Sequence, residues 1–133
     1  MVRFDDTLPK PLQLLVSRAL TLCDIVLPHS RAFYPFAAIY EEGRIGCLFA
    51  DEISKTTDTA QLIEQLQWRI IDTTTDTNSY SVLVYTASVE THDDRQIDAI
   101  AINTSDPTGQ ESLLLYPFQR VGEQIVVSPP IHG

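Results

Sequence analysis

The chain has 133 residues, of which 44% are hydrophobic and 20% are charged, so it has the size and composition of one globular domain spanning residues 1–133. Eighteen acidic residues against nine basic ones give a net charge of −9. Affinity for phosphate depends on clustered Lys and Arg, and the basic residues here are dispersed, so nucleic acid is not an expected partner.

A first helix is predicted between Pro9 and Pro28, because proline is favoured in the first turn of a helix and cannot continue one. Apolar residues between them recur at three- and four-residue spacing, which predicts a wide apolar stripe. The stripe comprises Leu12, Leu15, Val16, Ala19, Leu22, Cys23 and Val26. Leu14, Leu20 and Ile25 lie off it, so this helix is apolar around more of its circumference than one sheet covers.

A hairpin and a second helix follow. Residues 33–40 and 45–50 are predicted strands, joined by an acidic turn in which Gly43 is free to adopt a positive φ. The second helix is predicted over residues 59–71. One of its faces carries Leu62, Ile63, Leu66 and Ile70. Trp68 points nearly opposite to that face.

Four apolar runs separated by short polar breaks complete the chain. They span residues 80–90, 96–103, 112–118 and 124–128. Breaks this short are typical of hairpins, which require antiparallel pairing. The element order is therefore α-β-β-α-β-β-β-β. We predict an α+β fold with an antiparallel sheet of five to six strands and two helices packed on one face.

The two cysteines, Cys23 and Cys47, lie in apolar stretches without any CxxC spacing, and we predict that both are reduced and buried. The N-terminal residues do not have the pattern of a secretory leader, and no apolar run is long enough to cross a bilayer. A cytoplasmic protein without membrane association is expected.

The most distinctive local feature is a repeated Tyr-Pro-Phe tripeptide. Proline cannot donate to a strand ladder and occurs at strand starts, edges or bulges. Tyr34, Phe36, Tyr116 and Phe118 are therefore candidates to line an aromatic groove that binds a ligand or partner. The structural alternative is that these segments only protect strand edges. Trp68 either anchors an interface or is covered by a loop or tail.

Catalytic signatures are lacking in the sequence. It contains no Gly-rich phosphate loop, GxSxG, HExxH or calcium-loop motif. Residues 92–94, His-Asp-Asp, are the one run of adjacent metal-ligand types, but neighbouring turn residues usually point outward. Asp98 is either buried and paired, which would make it a candidate acid or base, or exposed near a hairpin end, which we favour. No catalytic residue, metal or cofactor is predicted.

Residues 33–40, FYPFAAIY, lead into EEGRI at 41–45, with Asp-Ala-Ile at 98–100 and the second Tyr-Pro-Phe at 116–118. In these motifs the chain resembles a group of small bacterial α+β proteins in which an aromatic-Pro-Phe strand leads into an acidic glycine hairpin. The resemblance implies a bacterial cytosolic origin, and it carries no catalytic residues.

These features favour a non-enzymatic protein-interaction protein of a bacterium, for example an immunity or antitoxin-like protein whose acidic surface meets a basic partner. The alternative is a small-ligand binding protein, or an enzyme, with a pocket between helix one and the sheet. Self-association as a homodimer is also predicted, because Leu14, Leu20, Ile25 and Trp68 exceed what the sheet covers. Otherwise the tail, residues 128–133, folds over them.

Overall fold

The computed structural model describes residues 8–29, 35–49, 59–73, 78–90 and 93–132. Its helices are α1 (Lys10–Val26), which continues into a 3-10 turn (Leu27–His29), and α2 (Thr59–Thr73). Its strands are β1 (Phe36–Glu41), β2 (Arg44–Phe49), β3 (Tyr80–Glu90), β4 (Gln96–Ser105), β5 (Glu111–Val121), β6 (Gln124–Val127) and β7 (Ile131–His132). The predicted α+β class and element order are confirmed, with the short β7 added.

The strands form one antiparallel sheet in the order β2-β1-β3-β4-β5-β6, and β7 also pairs with β5. Hairpins connect β1 to β2, β3 to β4, β4 to β5 and β5 to β6, whereas β3 pairs with β1 rather than with β2. The C-terminal tail joins this sheet, with Ile131 opposite Leu115. The tail therefore pairs with β5 along the edge that faces away from β4. The last described residues, Ile131 and His132, form this pairing.

Helix α1 covers one face of the sheet and forms the main hydrophobic core. Leu15, Val16 and Ala19 are fully buried against alternate residues of the central strands. The strand side of this core comprises Phe36, Ala38, Val82, Val84, Ile100, Ile102, Leu114, Tyr116, Phe118 and Val127. Arg120 of β5 donates a hydrogen bond to the carbonyl of Leu27. This bond anchors the 3-10 turn at the C-terminal end of α1 to β5.

Helix α2 lies on the opposite face, so the prediction that both helices share one face is wrong. Leu62 and Leu66 pack against Ala37 and Leu83, whereas α1 packs against Ala38 and the valines that alternate with Leu83. Successive residues of a strand point to opposite faces, so the two helices sandwich the sheet. The physical reason is that β1 and β3 are apolar on both faces and need cover on each.

The predicted core positions are mostly buried. Leu15, Ala19 and Leu66 are buried, while Leu22 and Ile70 are only partly covered. Leu20, which we expected among the surplus apolar residues, is also buried, because α1 presents a wider face to the sheet than its stripe indicates.

Both cysteines are free thiols, as predicted, but only Cys23 is buried. The prediction that Cys47 is buried is wrong. Cys47 lies on β2, the outermost strand, and α1 packs on β1 and β3 instead. On the α1 face of this edge strand Ile45 still packs against the core, whereas Cys47 and Phe49 are exposed.

The β1–β2 hairpin closes through a two-residue turn. Glu42 and Gly43 both have positive φ, 51° and 78°, which is the type I′ turn that matches the twist of the flanking strands. The predicted conformation of Gly43 is thus confirmed. The turn sets the register of the hairpin, with Glu41 opposite Arg44 and Phe36 opposite Phe49.

Neither described helix is both long enough and apolar enough to cross a membrane.

Candidate functional site

The residues predicted from the Tyr-Pro-Phe segments do not form one exposed surface. Phe36, Tyr116 and Phe118 are buried beneath α1 and contribute to its core. Tyr34 lies outside the described residues. Trp68 is on the other face of the sheet and is 60% exposed. A binding role for the buried aromatics remains a prediction, and their burial argues against direct contact with a ligand.

The prolines of these segments lie where ladders begin or end. Pro35 immediately precedes β1. Pro117 forms the last pair between β5 and β4, opposite Ala99, and beyond it β5 pairs with β6 from Phe118 onward. Because proline donates no hydrogen bond, it fits at such transitions. The positions favour the structural alternative for both tripeptides.

A groove of about 450 Å³ lies between α2 and the sheet, and we call it the α2 groove. It forms because the main contacts of α2 are with β1, β2 and β3, so the other side of the helix projects over the neighbouring strands. Its helix side comprises Glu64, Gln67, Trp68, Ile70 and Ile71, and its sheet side comprises Ser81, Leu83, Asn103, Ser105 and Glu111.

The floor of the groove is a polar row that crosses three strands. Ser81 of β3 is opposite Ser105 of β4, which is in turn opposite Glu111 of β5. Asn103 lies in the next row, opposite Leu83. Directly opposite residues in an antiparallel sheet are about 5 Å apart, so two hydroxyls, an amide and a carboxylate converge within about 10 Å.

The helix side of the groove carries exposed apolar side chains. Trp68 is 60% exposed and Ile71 is 62% exposed. Leaving a large apolar side chain in water forgoes roughly 1.5–3 kcal/mol relative to its full burial. An aromatic with a polar tip beside an exposed aliphatic is the composition found at protein interfaces.

The charge of the groove has one sign. Glu64 lies on the helix side and Glu111 on the sheet side, and the described residues that line the groove include no Lys, Arg or His. The one basic residue of α2, Arg69, instead donates a 2.8 Å hydrogen bond to the carbonyl of Phe49, on the side of the helix that faces β2. The groove is therefore suited to a cationic occupant.

The nucleophile types in the groove are two serines. Among the described lining residues, Ser81 and Ser105 have no histidine or lysine beside them to serve as a base. No group of three or more His, Cys, Asp or Glu in the described part of the chain is arranged to hold a metal ion. Asp98 is exposed, as predicted. His92 lies outside the described residues.

Trp68 is the one groove residue that was predicted as a site residue, and the polar residues of the sheet side, Ser81, Asn103, Ser105 and Glu111, were not. Each lies at or near the end of an apolar run and reads as an ordinary strand terminus. Their convergence depends on the register of β3, β4 and β5, which places Ser81, Ser105 and Glu111 in one row. The available signal in the sequence was Trp68, which lies off the apolar face of α2 and lines the groove.

Comparison of the chain with models of protein families, with curated proteins and with solved structures gives no match.

Proposed function

We propose that the protein is a non-enzymatic interaction protein whose α2 groove binds a basic segment of a partner protein. The observation that carries the proposal is that two carboxylates, Glu64 and Glu111, share a groove with exposed Trp68 and Ile71, and that its described lining residues include no cationic side chain. A bacterial immunity or antitoxin-like protein that covers a basic surface is one concrete form of this function.

The groove matches the chemistry of an arginine- or lysine-containing segment in three ways. Its carboxylates attract the cationic head, the hydroxyls and the amide of its floor accept the remaining N–H groups, and Trp68 offers a face for cation–π contact. The aliphatic stem of such a side chain packs on apolar groups such as Ile71. The overall charge of −9 speeds encounter with a basic partner.

Small-ligand binding is the second candidate function. The pocket proposed for it lies at the α2 groove and not between α1 and the sheet, where the sequence predicted it. The interface between α1 and the sheet, where a pocket was expected, is filled by fully buried side chains such as Leu15, Val16 and Tyr116. The α2 groove, by contrast, has a volume within the range of small-molecule sites. A cytoplasmic setting fits both candidates, because exposed Cys47 is a free thiol and such thiols persist in reducing compartments.

Trp68 allows a direct test, because it is the single tryptophan of the chain and lies in the groove. We expect a short peptide of alternating arginine and leucine to shift Trp68 fluorescence to shorter wavelength, and the matching glutamate-leucine peptide to leave it unchanged. The double variant Glu64→Gln/Glu111→Gln should bind the basic peptide about tenfold more weakly, since each partly exposed charge pair contributes roughly 0.2–1 kcal/mol.

The matched control is Glu90→Gln/Glu123→Gln, which removes the same charge at exposed positions outside the groove. It should bind as tightly as the wild type. Equal weakening in both double variants would show that the peptide follows net charge, and no Trp68 response to any basic peptide would contradict the proposed site. A response to free arginine as strong as that to the peptide would favour the small-ligand candidate.

A further inference from the structure

Within its own described residues, Arg44–Phe49, β2 lacks the sequence features that commonly protect edge strands. Proteins blunt an edge with Lys, Pro, bulges or very short strands, since unpaired peptide groups recruit other strands. β2 contains neither Lys nor Pro, and its six residues pair with β1 without interruption. The opposite side of the sheet differs, because its segments contain Pro117, Pro129 and Pro130.

The turn geometry determines which peptide groups point outward. In a two-residue hairpin the pair that flanks the turn, here Glu41 and Arg44, exchanges two hydrogen bonds, and bonded and non-bonded pairs then alternate. The N–H and C=O groups of Ile45, Cys47 and Phe49 therefore point away from β1. The carbonyl of Phe49 agrees with this, since it accepts its hydrogen bond from Arg69 rather than from β1.

We propose that β2 pairs with β2 of a second copy of this chain, antiparallel, with the two Cys47 residues directly opposite each other. In this register Ile45 of each copy is opposite Phe49 of the other copy. The three opposite pairs exchange two hydrogen bonds each. The Phe49 carbonyl has a second lone pair for this bond beside the one that Arg69 uses.

The occupant is a second copy because the strand is self-complementary about Cys47. Ile45 and Phe49 are both large and apolar, lie on the same face, and become cross-strand neighbours; Phe49 is 57% exposed without such a neighbour. On the other face Gly46 becomes the neighbour of Leu48. A Cβ built at Gly46 meets nothing within 4 Å, so the space above it is open to that leucine.

The arrangement also avoids the charge repulsion expected of two acidic chains. The run from Ile45 to Phe49 contains no charged residue, and the one charge of β2, Arg44, lies at its end. The α2 groove stays open in the dimer, because it lies over β3, β4 and β5. The dimer and the binding of a basic segment are thus separate proposals.

Sedimentation tests the dimer. We expect the wild type to sediment with a mass that rises from 14.9 kDa towards twice that value across the micromolar concentration range. Cys47→Lys, at an exposed position, should remain monomeric because two ammonium groups would face each other. The matched control Gln124→Lys, exposed on β6, should sediment as the wild type does. A wild type that stays monomeric, or a Cys47→Lys variant that still dimerises, would overturn the proposal.

Disulfide trapping tests the register. Opposite residues in a bonded pair have Cα atoms about 5.5 Å apart, within the range that a disulfide spans. Mild oxidation should therefore link wild-type chains through Cys47, and Cys47→Ser should abolish the link. In the Cys47→Ser background, Ile45→Cys and Phe49→Cys should cross-link when mixed and not when oxidised separately. Cross-linking of Phe49→Cys with itself as fast as in the mixture would overturn the register.

Discussion

Replacing Leu15 with alanine should lower the free energy of unfolding by about 2–5 kcal/mol, the range for truncating a buried leucine. Leu15 is 0% exposed and lies in the core between α1 and the sheet. The loss combines the transfer free energy of the removed methyl groups with the cost of the cavity that remains, because close-packed neighbours relax only partly. Urea denaturation of the two proteins measures it.

Leu14→Ala is the matched control, since it makes the same substitution one position earlier in the same helix. Leu14 is 50% exposed. Half of the side chain gains nothing from folding, so we expect a loss of no more than about 1 kcal/mol. Equal losses at the two positions would mean that α1 is rotated about its axis relative to the packing described above.

Alkaline pH should destabilise the protein through Cys23. Burial raises the pKa of the Cys23 thiol to about 12 from the usual 9.0, and the charge of Asp24 adds to the rise. Between these pH values the unfolded chain releases the thiol proton while the folded chain retains it. The stability that Cys23 contributes is therefore complete below pH 9.0 and is lost as the pH rises towards 12, at about 1.4 kcal/mol per pH unit.

The comparison with Cys23→Ala isolates this contribution from other groups that titrate in alkali. The difference in unfolding free energy between wild type and variant should shrink by about 2 kcal/mol between about pH 8 and about pH 10.5. Parallel pH profiles for wild type and Cys23→Ala would contradict a buried Cys23.

Local signals in the sequence were enough to predict the elements and their order. Proline bounds α1 on both sides, Gly43 marks the first turn, and each apolar run of the second half became a strand. These signals act over a few residues, because they arise from backbone sterics and from the periodicity of a helix or a strand. They do not depend on where the rest of the chain lies.

The distribution of helices over the two faces could not be obtained in this way, although a signal was present. Val82, Leu83 and Val84 are consecutive apolar residues, and so are Ala37, Ala38 and Ile39. A strand with apolar side chains on both faces needs other elements packed on both faces. Our prediction did not apply this pattern to the placement of the helices.

The candidate site was only partly predictable for a similar reason. Trp68 stands out because it departs from a periodic pattern within one helix. Ser81, Ser105 and Glu111 depart from no pattern, and only the pairing of three strands brings them together. Burial of Phe36 and Tyr116 likewise depends on α1 lying over them, which no local feature of the Tyr-Pro-Phe segments encodes.

The two faces of the sheet carry hydrophobic cores of very different size. The local stability of the fold therefore differs between its α1 side and its α2 side. Among the described residues the α1 core contains seventeen buried side chains, whereas the α2 core contains four, Ala37, Leu62, Leu66 and Leu83. Local stability follows buried apolar contact, so α2 can detach in a partial unfolding event that leaves α1 and the strands intact. Its amide hydrogens then exchange with solvent ahead of those of α1. We therefore expect the helix side of the groove to adjust to an occupant at a lower free-energy cost than a similar movement of α1 would need.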